Sequence, residues 1–148
     1  MNLSQKCLYA LRAVFELATR HGQGPITVGV IAEQQAIPAR FLELILVQLK
    51  QAGYIESRRG VQGGYILSLP PKALTVGDVI RTIEGPLVPV KRTEDQANRK
   101  PLKGDHAFAK LWERAEKAVA DVYDTTSFQD LIDEERAAAA RYTVDFSI

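Results

Sequence analysis

The chain is 148 residues long, 46% hydrophobic and 25% charged, which gives room for one small globular unit with an extension and is the wrong balance for a disordered chain. Its apolar runs fall short of the roughly 18 residues a membrane span needs, and Arg12, Glu16 and Arg20 interrupt the N-terminal stretch, so neither a signal peptide nor an anchor is expected and a cytoplasmic location is. Cys7 is the only cysteine, which leaves no internal disulfide or multi-cysteine metal site, and the net charge of +1 hides an asymmetry: seven Lys/Arg against four Asp/Glu over residues 1–70, five against ten over residues 104–148.

A first helix is predicted over about residues 3–20, with Ser4 as its N-cap and Leu8, Leu11, Phe15 and Ala18 as its apolar stripe. His21-Gly22-Gln23-Gly24-Pro25 ends it. Thr27 caps a short second helix whose Val28, Ile31 and Ala32 face inward, and a polar turn follows over residues 34–37. Pro38 stands where a third helix begins, a place where its missing N–H costs nothing. This helix is expected to bury Phe41, Leu42, Ile45, Leu46 and Leu49 before Gly53 stops it. Leu44 and Val47 fall off that stripe, as marginal core or as an apolar groove contact. Two such helices joined by a tight turn outline a helix-turn-helix.

Residues 54–58 and 65–69 then read as short strands on either side of a glycine-rich tip, Arg59-Gly60-Val61-Gln62-Gly63-Gly64, with Pro70-Pro71 closing the second. A helix-turn-helix followed directly by a two-stranded hairpin is a winged helix. The expected fold class is therefore mainly α, an α+β winged helix-turn-helix with a long C-terminal dimerisation helix.

Thr75 caps a helix over residues 76–84, which breaks at Gly85-Pro86. Residues 86–104 hold three prolines and five Lys/Arg, show no periodic pattern and offer little to bury, so they read as a loop. After Gly104 comes the longest helix, about 20 residues or roughly 30 Å. Phe108, Leu111, Trp112, Ala115, Val119 and Val122 run along one side of it as the expected dimer contact. Ser127-Phe128-Gln129-Asp130 has the shape of a capping box and starts a further short helix, and the tail over residues 142–148 alternates apolar and polar side chains. The organisation expected is a DNA-binding unit over 1–85, a loop over 86–104, and a dimerisation helix with tail over 105–148.

In a helix-turn-helix the N-terminal residues of the second helix meet base edges while flanking groups hold phosphates. That places Pro38, Ala39, Arg40 and Glu43 towards a groove: Arg40 on a phosphate or bidentate on guanine, Glu43 on a cytosine amino group, Ala39 on a thymine methyl. The wing offers Arg58, Arg59 and Gln62, with Gly60 and Gly63 in the same tip, to an adjacent minor groove. Thr27 completes the DNA-binding set. No catalytic or metal site is expected: His21 and His106 have no nucleophile or carboxylate pair at a useful spacing, and Asp105-His106 supplies only two ligands. Cys7 reads as a small core residue, with a redox thiol as the alternative.

Several stretches together carry a family resemblance. They are Ser4-Gln5-Lys6-Cys7-Leu8-Tyr9-Ala10-Leu11, Ile37-Pro38-Ala39-Arg40-Phe41-Leu42-Glu43, Val76-Gly77-Asp78-Val79-Ile80, Ile83-Glu84-Gly85-Pro86 and, above all, Arg59-Gly60-Val61-Gln62-Gly63-Gly64-Tyr65, with Trp112 and residues 126–131 continuing the match. In this order they resemble the Rrf-two family of bacterial winged-helix transcriptional regulators. The resemblance implies a homodimer on a dyad-symmetric operator, with Glu43 and the residues before it reading bases and Arg59 in the wing. Iron–sulfur members of the family carry three cysteines in the loop before the dimer helix; residues 87–104 hold none, and thiolates are what hold such clusters, so no cofactor is expected.

The cysteine-free loop and Glu84-Gly85-Pro86-Leu87-Val88-Pro89-Val90 look most like the CymR-like branch of the family, repressors of cysteine metabolism that respond to sulfur status through a complex with cysteine synthase. That likeness implies cysteine synthase as a partner and Phe146, Ser147 and Ile148 as the contact, a terminal carboxylate with an apolar side chain suiting a concave site rich in backbone donors. The expectation is thus a homodimeric DNA-binding repressor without a cluster. The alternatives are a thiol sensor using Cys7 and a protein-interaction module that has lost DNA binding.

Overall fold

The computed structural model describes residues 2–146, with side chains through Thr143. Helix α1 (Gln5–Thr19) starts where the Ser4 hydroxyl accepts a hydrogen bond from the Cys7 N–H at 3.1 Å. It is the hub on which α2 (Val28–Gln35), α3 (Ala39–Gln51), α4 (Val76–Glu84) and α7 (Phe128–Phe146) all pack. Its buried face is Cys7, Ala10, Ala13, Val14, Glu16, Leu17 and Ala18, so that of the predicted stripe only Ala18 is buried: Leu8 is exposed, and Leu11 and Phe15 are half-buried. These four helices pack on α1, and its short side chains at Ala10, Ala13 and Ala18 let them approach closely around Val14 and Leu17.

The turn between α2 and α3 is made by Ala36 in a left-handed conformation, φ 52°. Pro38 caps α3, its carbonyl accepting from the Leu42 N–H at 3.1 Å. Leu42, Ile45, Leu46 and Leu49 are buried as expected; Phe41 is not. It lies a further 100° round the helix from Leu42, at the edge of the stripe, where its ring meets that of Tyr9 at 6.0 Å between centroids. Leu44 and Val47 are exposed and belong to no core.

The wing is an antiparallel pair, β1 (Ile55–Arg58) and β2 (Gly64–Leu67), with Ile55 opposite Leu67 and Arg58 opposite Gly64. Ile26 adds a bridge to its far side, exchanging N–H···O bonds of 2.9 and 2.8 Å with Tyr65. Gly64 has φ 149°, and a Cβ there would run into the backbone of Ile26, so this glycine is what allows the third segment to approach.

Residues 86–104 are less bare than expected. Leu87 is buried with Cys7, Val76 and Ile80, and a short helix, α5 (Glu94–Asn98), begins at a reciprocal pair of 3.3 Å bonds between Thr93 and Gln96. The Thr93-to-Gln96 spacing is that of a capping box and was the available signal. The long helix α6 (Asp105–Asp124) is clamped at its end to α4. Arg81 Nη2 meets Asp124 Oδ2 at 2.8 Å, and a Cβ on Gly77 would collide with the same carboxylate. Beside this clamp the Val76 N–H donates to Thr126 at 2.9 Å and the Phe128 N–H to Leu74 at 3.0 Å.

Helix α7 opens at the Ser127/Asp130 capping box, with bonds of 2.9 and 3.0 Å, but it is long rather than short, 19 residues. No Gly or Pro follows Ser127, and Ala137 to Ala140 are the best helix formers, so nothing stops propagation. The alternating pattern read from Tyr142 onward therefore lies within a helix as far as Phe146. Ser147, Ile148 and the side chain of Phe146 lie outside the described residues. Phe128 and Ile132 sit in the main core with Leu17 and Leu74. Among the described residues no helix is long and apolar enough to cross a membrane.

Candidate nucleic-acid interface

The start of α3 presents Pro38, Ala39, Arg40 and Glu43 on an exposed surface. The Arg40 guanidinium lies over the Phe41 ring, 5.0 Å from its centroid, a cation–π contact. Glu43 has no ion pair among the described residues.

In the wing, Arg58, Arg59, Gly60 and Gln62 are exposed and Gly63 is half-buried. The Gly63 N–H donates to the Gly60 carbonyl at 3.0 Å, and a Cβ on Gly63 would strike the Arg58 carbonyl, so the tip turn depends on glycine there. Arg58 pairs with Glu56 at 3.5 Å, two residues away on the same strand face; both side chains are more than half exposed, so the pair is weak. Arg59 carries no ion pair among the described residues. The Lys50 amine, near the end of α3, donates to the Ser57 hydroxyl at 2.8 Å and ties the helix to the wing. Sequence reading missed this link, because a bond across seven residues between a helix and a strand has no periodic signature. Thr27 is exposed, and its hydroxyl accepts from the Val30 N–H at 3.3 Å as the cap of α2, next to the Ile26 bridge on β2. The helix residues thus share one surface and the wing residues one hairpin tip.

No residue of α6 is buried. Phe108, Leu111, Trp112 and Val122 are exposed, Ala115 and Val119 half-buried, and the Phe108 and Trp112 rings stack at 6.2 Å with 20° between planes. The helix is started by Asp105, whose carboxyl is held down to about 2 by hydrogen bonds from Arg99 and from the Leu102 N–H.

Cys7 is fully buried against Val76, Ile80 and Leu87. Burial, and then the Glu84 carboxylate, push its thiol up to about 11. Glu84 is itself held below the usual carboxylate range by the hydroxyl and N–H of Ser4. A buried thiol so reluctant to ionise has the character of a structural cysteine.

A helix-turn-helix with a glycine-turned basic wing, backed by a long helix bearing an unburied apolar seam, is the architecture of a winged-helix DNA-binding regulator. The chain belongs to the Rrf2 (Rrf-two) family, described as "Iron-dependent Transcriptional regulator", which matches residues 3–134. It is 40% identical over 131 residues to the HTH-type transcriptional regulator CymR of Bacillus subtilis, covering 88% of this chain and 89% of that one. The solved structure of that regulator, described as the global cysteine regulator of B. subtilis, superposes with a TM-score of 0.77 at 37% identity, over 90% of this chain and 98% of the other. IscR of T. potens superposes equally well, TM-score 0.77 at 31% identity, over 93% and 90% of the two chains. The chain is a DNA-binding transcriptional regulator and not an enzyme.

An iron–sulfur cluster does not fit the residues present. Its ligands are mainly thiolates, residues 86–104 contain none, and Cys7 is sealed beneath α4. Among the described residues no three His, Cys, Asp or Glu side chains come together to hold a metal ion.

Proposed function

We propose that the chain is a cytoplasmic, homodimeric repressor that reads a palindromic operator without an iron–sulfur cluster. The observation that supports this most is the coupling of two exposed elements, the start of α3 and the Arg59 tip, through the Lys50–Ser57 bond. In this reading residues 1–85 bind DNA, 86–104, with α5 among them, connect the two parts, and 105–148 supply the dimer contact and tail. Pro38, Ala39, Arg40 and Glu43 meet base edges in the major groove. Arg58, Arg59, Gly60, Gln62 and Gly63 enter the neighbouring minor groove, and Thr27 holds a phosphate.

Selection of bound duplexes from a random pool is expected to return a palindrome with half-sites about one helical turn apart. Arg40→Ala and Arg59→Ala should each weaken binding to it by about 1–3 kcal/mol. Glu43→Ala should relax selectivity more than affinity, because it removes an acceptor for cytosine while lowering repulsion from phosphate. Electrophoretic titration against matched and mismatched sites reads both effects, and a loss equal at every sequence for Glu43→Ala contradicts its base-reading role. Affinity should also fall steeply with salt; a flat response belongs to an interaction module that has left DNA behind.

The description of the B. subtilis relative as a cysteine regulator supports cysteine metabolism as the regulated process; cysteine synthase as the protein partner rests on the family resemblance alone. Phe146, Ser147 and Ile148 are assigned to that contact. Their deletion should leave operator binding intact and abolish capture on immobilised cysteine synthase; unchanged capture removes the tail from the interface.

A further inference from the structure

The outward ridge of α3 is apolar at its centre. At 100° per residue, Leu42, Ile45, Leu46 and Leu49 mark the buried side and Arg40, Leu44, Val47 and Gln51 lie opposite. Leu44 is 62% exposed and Val47 54%, and neither touches a core cluster. Glu43 and Lys50 share one shoulder of this ridge, the side on which Lys50 reaches Ser57 of the wing. A scattered exposed leucine needs no explanation. Here two branched apolar side chains stand one turn apart on the ridge, with Arg40 ahead of them and Lys50, which is tied to Ser57 of the wing, on the adjoining shoulder.

We infer that Leu44 and Val47 read thymine by its 5-methyl group in the major groove, a specificity that rests on the DNA-binding reading above. That methyl is the one apolar group base pairs present in this groove. Three residues advance about 4.5 Å along a helix, against a rise of about 3.4 Å per base pair, so the two side chains meet adjacent pairs. Discrimination has two sources. Burying a methyl against an aliphatic side chain removes apolar surface from water. A cytosine amino group in the same place loses water and gains no acceptor. Flanking cations complement the phosphates on either side of the groove, which favours a duplex over a second copy of the chain as the occupant.

Deoxyuridine substitution tests this, since it removes the methyl and leaves every hydrogen-bonding group of thymine in place. With full-length protein and the selected operator, uracil at one or two adjacent positions per half-site should weaken wild-type binding about fourfold per methyl, the Boltzmann weight of one buried methylene. The Leu44→Ala/Val47→Ala protein should bind the operator with an unchanged salt slope and show no further loss at those positions. Leu44→Ala alone should lose sensitivity at one position only. The inference is overturned if uracil has no effect on wild-type protein at any position, if the double variant is as sensitive as wild type, or if the selected half-site has no thymine. It is also overturned if the double variant changes the oligomeric mass, which gives the ridge to a second copy. Failure of the wild-type protein to bind any duplex at low salt is a different result and counts against the DNA-binding reading itself.

Discussion

Trp112→Glu is expected to convert a dimer into monomers and to lower operator affinity on the order of 100-fold or more, because the avidity of two linked half-site contacts, typically 10²–10⁴, is then lost. Trp112 stacks on Phe108 within the α6 seam formed with Leu111, Ala115, Val119 and Val122. The protomer covers that seam only in part: no residue of α6 is buried, Trp112 is 40% exposed, and it belongs to neither core cluster. A carboxylate there has to shed its water against the apolar side chains of a facing copy, which is far costlier than losing the indole contact alone. Since the indole belongs to neither core cluster, the separated protomers should still unfold cooperatively. Sedimentation equilibrium reads the mass and electrophoretic titration the affinity. A variant that keeps both at wild-type values removes α6 from the interface.

Phe128→Ala is expected to cost about 3–5 kcal/mol of stability, a large share of the roughly 5–15 kcal/mol that holds a domain of this kind together. Phe128 is fully buried, and its N–H is bonded to Leu74 at 3.0 Å. Its ring fills the junction where α1, the turn over Pro71–Ala73 and α7 come together. Removing it leaves a cavity that rigid neighbours close only in part. The midpoint of urea unfolding reads the loss, and an unchanged slope assigns it to the native state. A cost below about 1 kcal/mol, the range of ordinary surface substitutions, means that α7 is docked by other residues.

The elements with chemical punctuation were legible in the linear chain. Ser4, Thr27, Thr75 and Ser127 announce helix starts because each can satisfy N–H groups left free in the first turn. Gly53 and Gly85 announce stops, and both have positive φ. The Gly63-Gly64 pair announces the wing, where one glycine closes the tip and the other admits Ile26. The residues proposed to face DNA were chosen by the same local signals, since the start of a helix and the tip of a hairpin are defined within a few residues of themselves.

The errors fall where a distant neighbour decides the outcome. Phe41 fits the helical spacing read from the sequence, yet it is exposed while Ile45 is buried, because it stands at the edge of the stripe, beside Tyr9 and the Arg40 side chain. Leu87 looked like loop and is core, because the pocket lined by Cys7, Val76 and Ile80 lies within reach of Gly85 and Pro86. Sequence periodicity could not choose between core and surface for Leu44 and Val47; the packing of α3 settled it.

The sequence by itself determined the order and type of the winged-helix elements and the absence of thiolate ligands from residues 86–104, since caps, breakers and ligand chemistry act over a few residues. Only the tertiary structure decided which side of α1 is innermost, how Arg81 and Asp124 set the long helix, and that the ridge of α3 is bare leucine and valine. Local rules set the period of a helix. How closely other segments approach sets its burial, and that depends on packing among residues far apart in the chain.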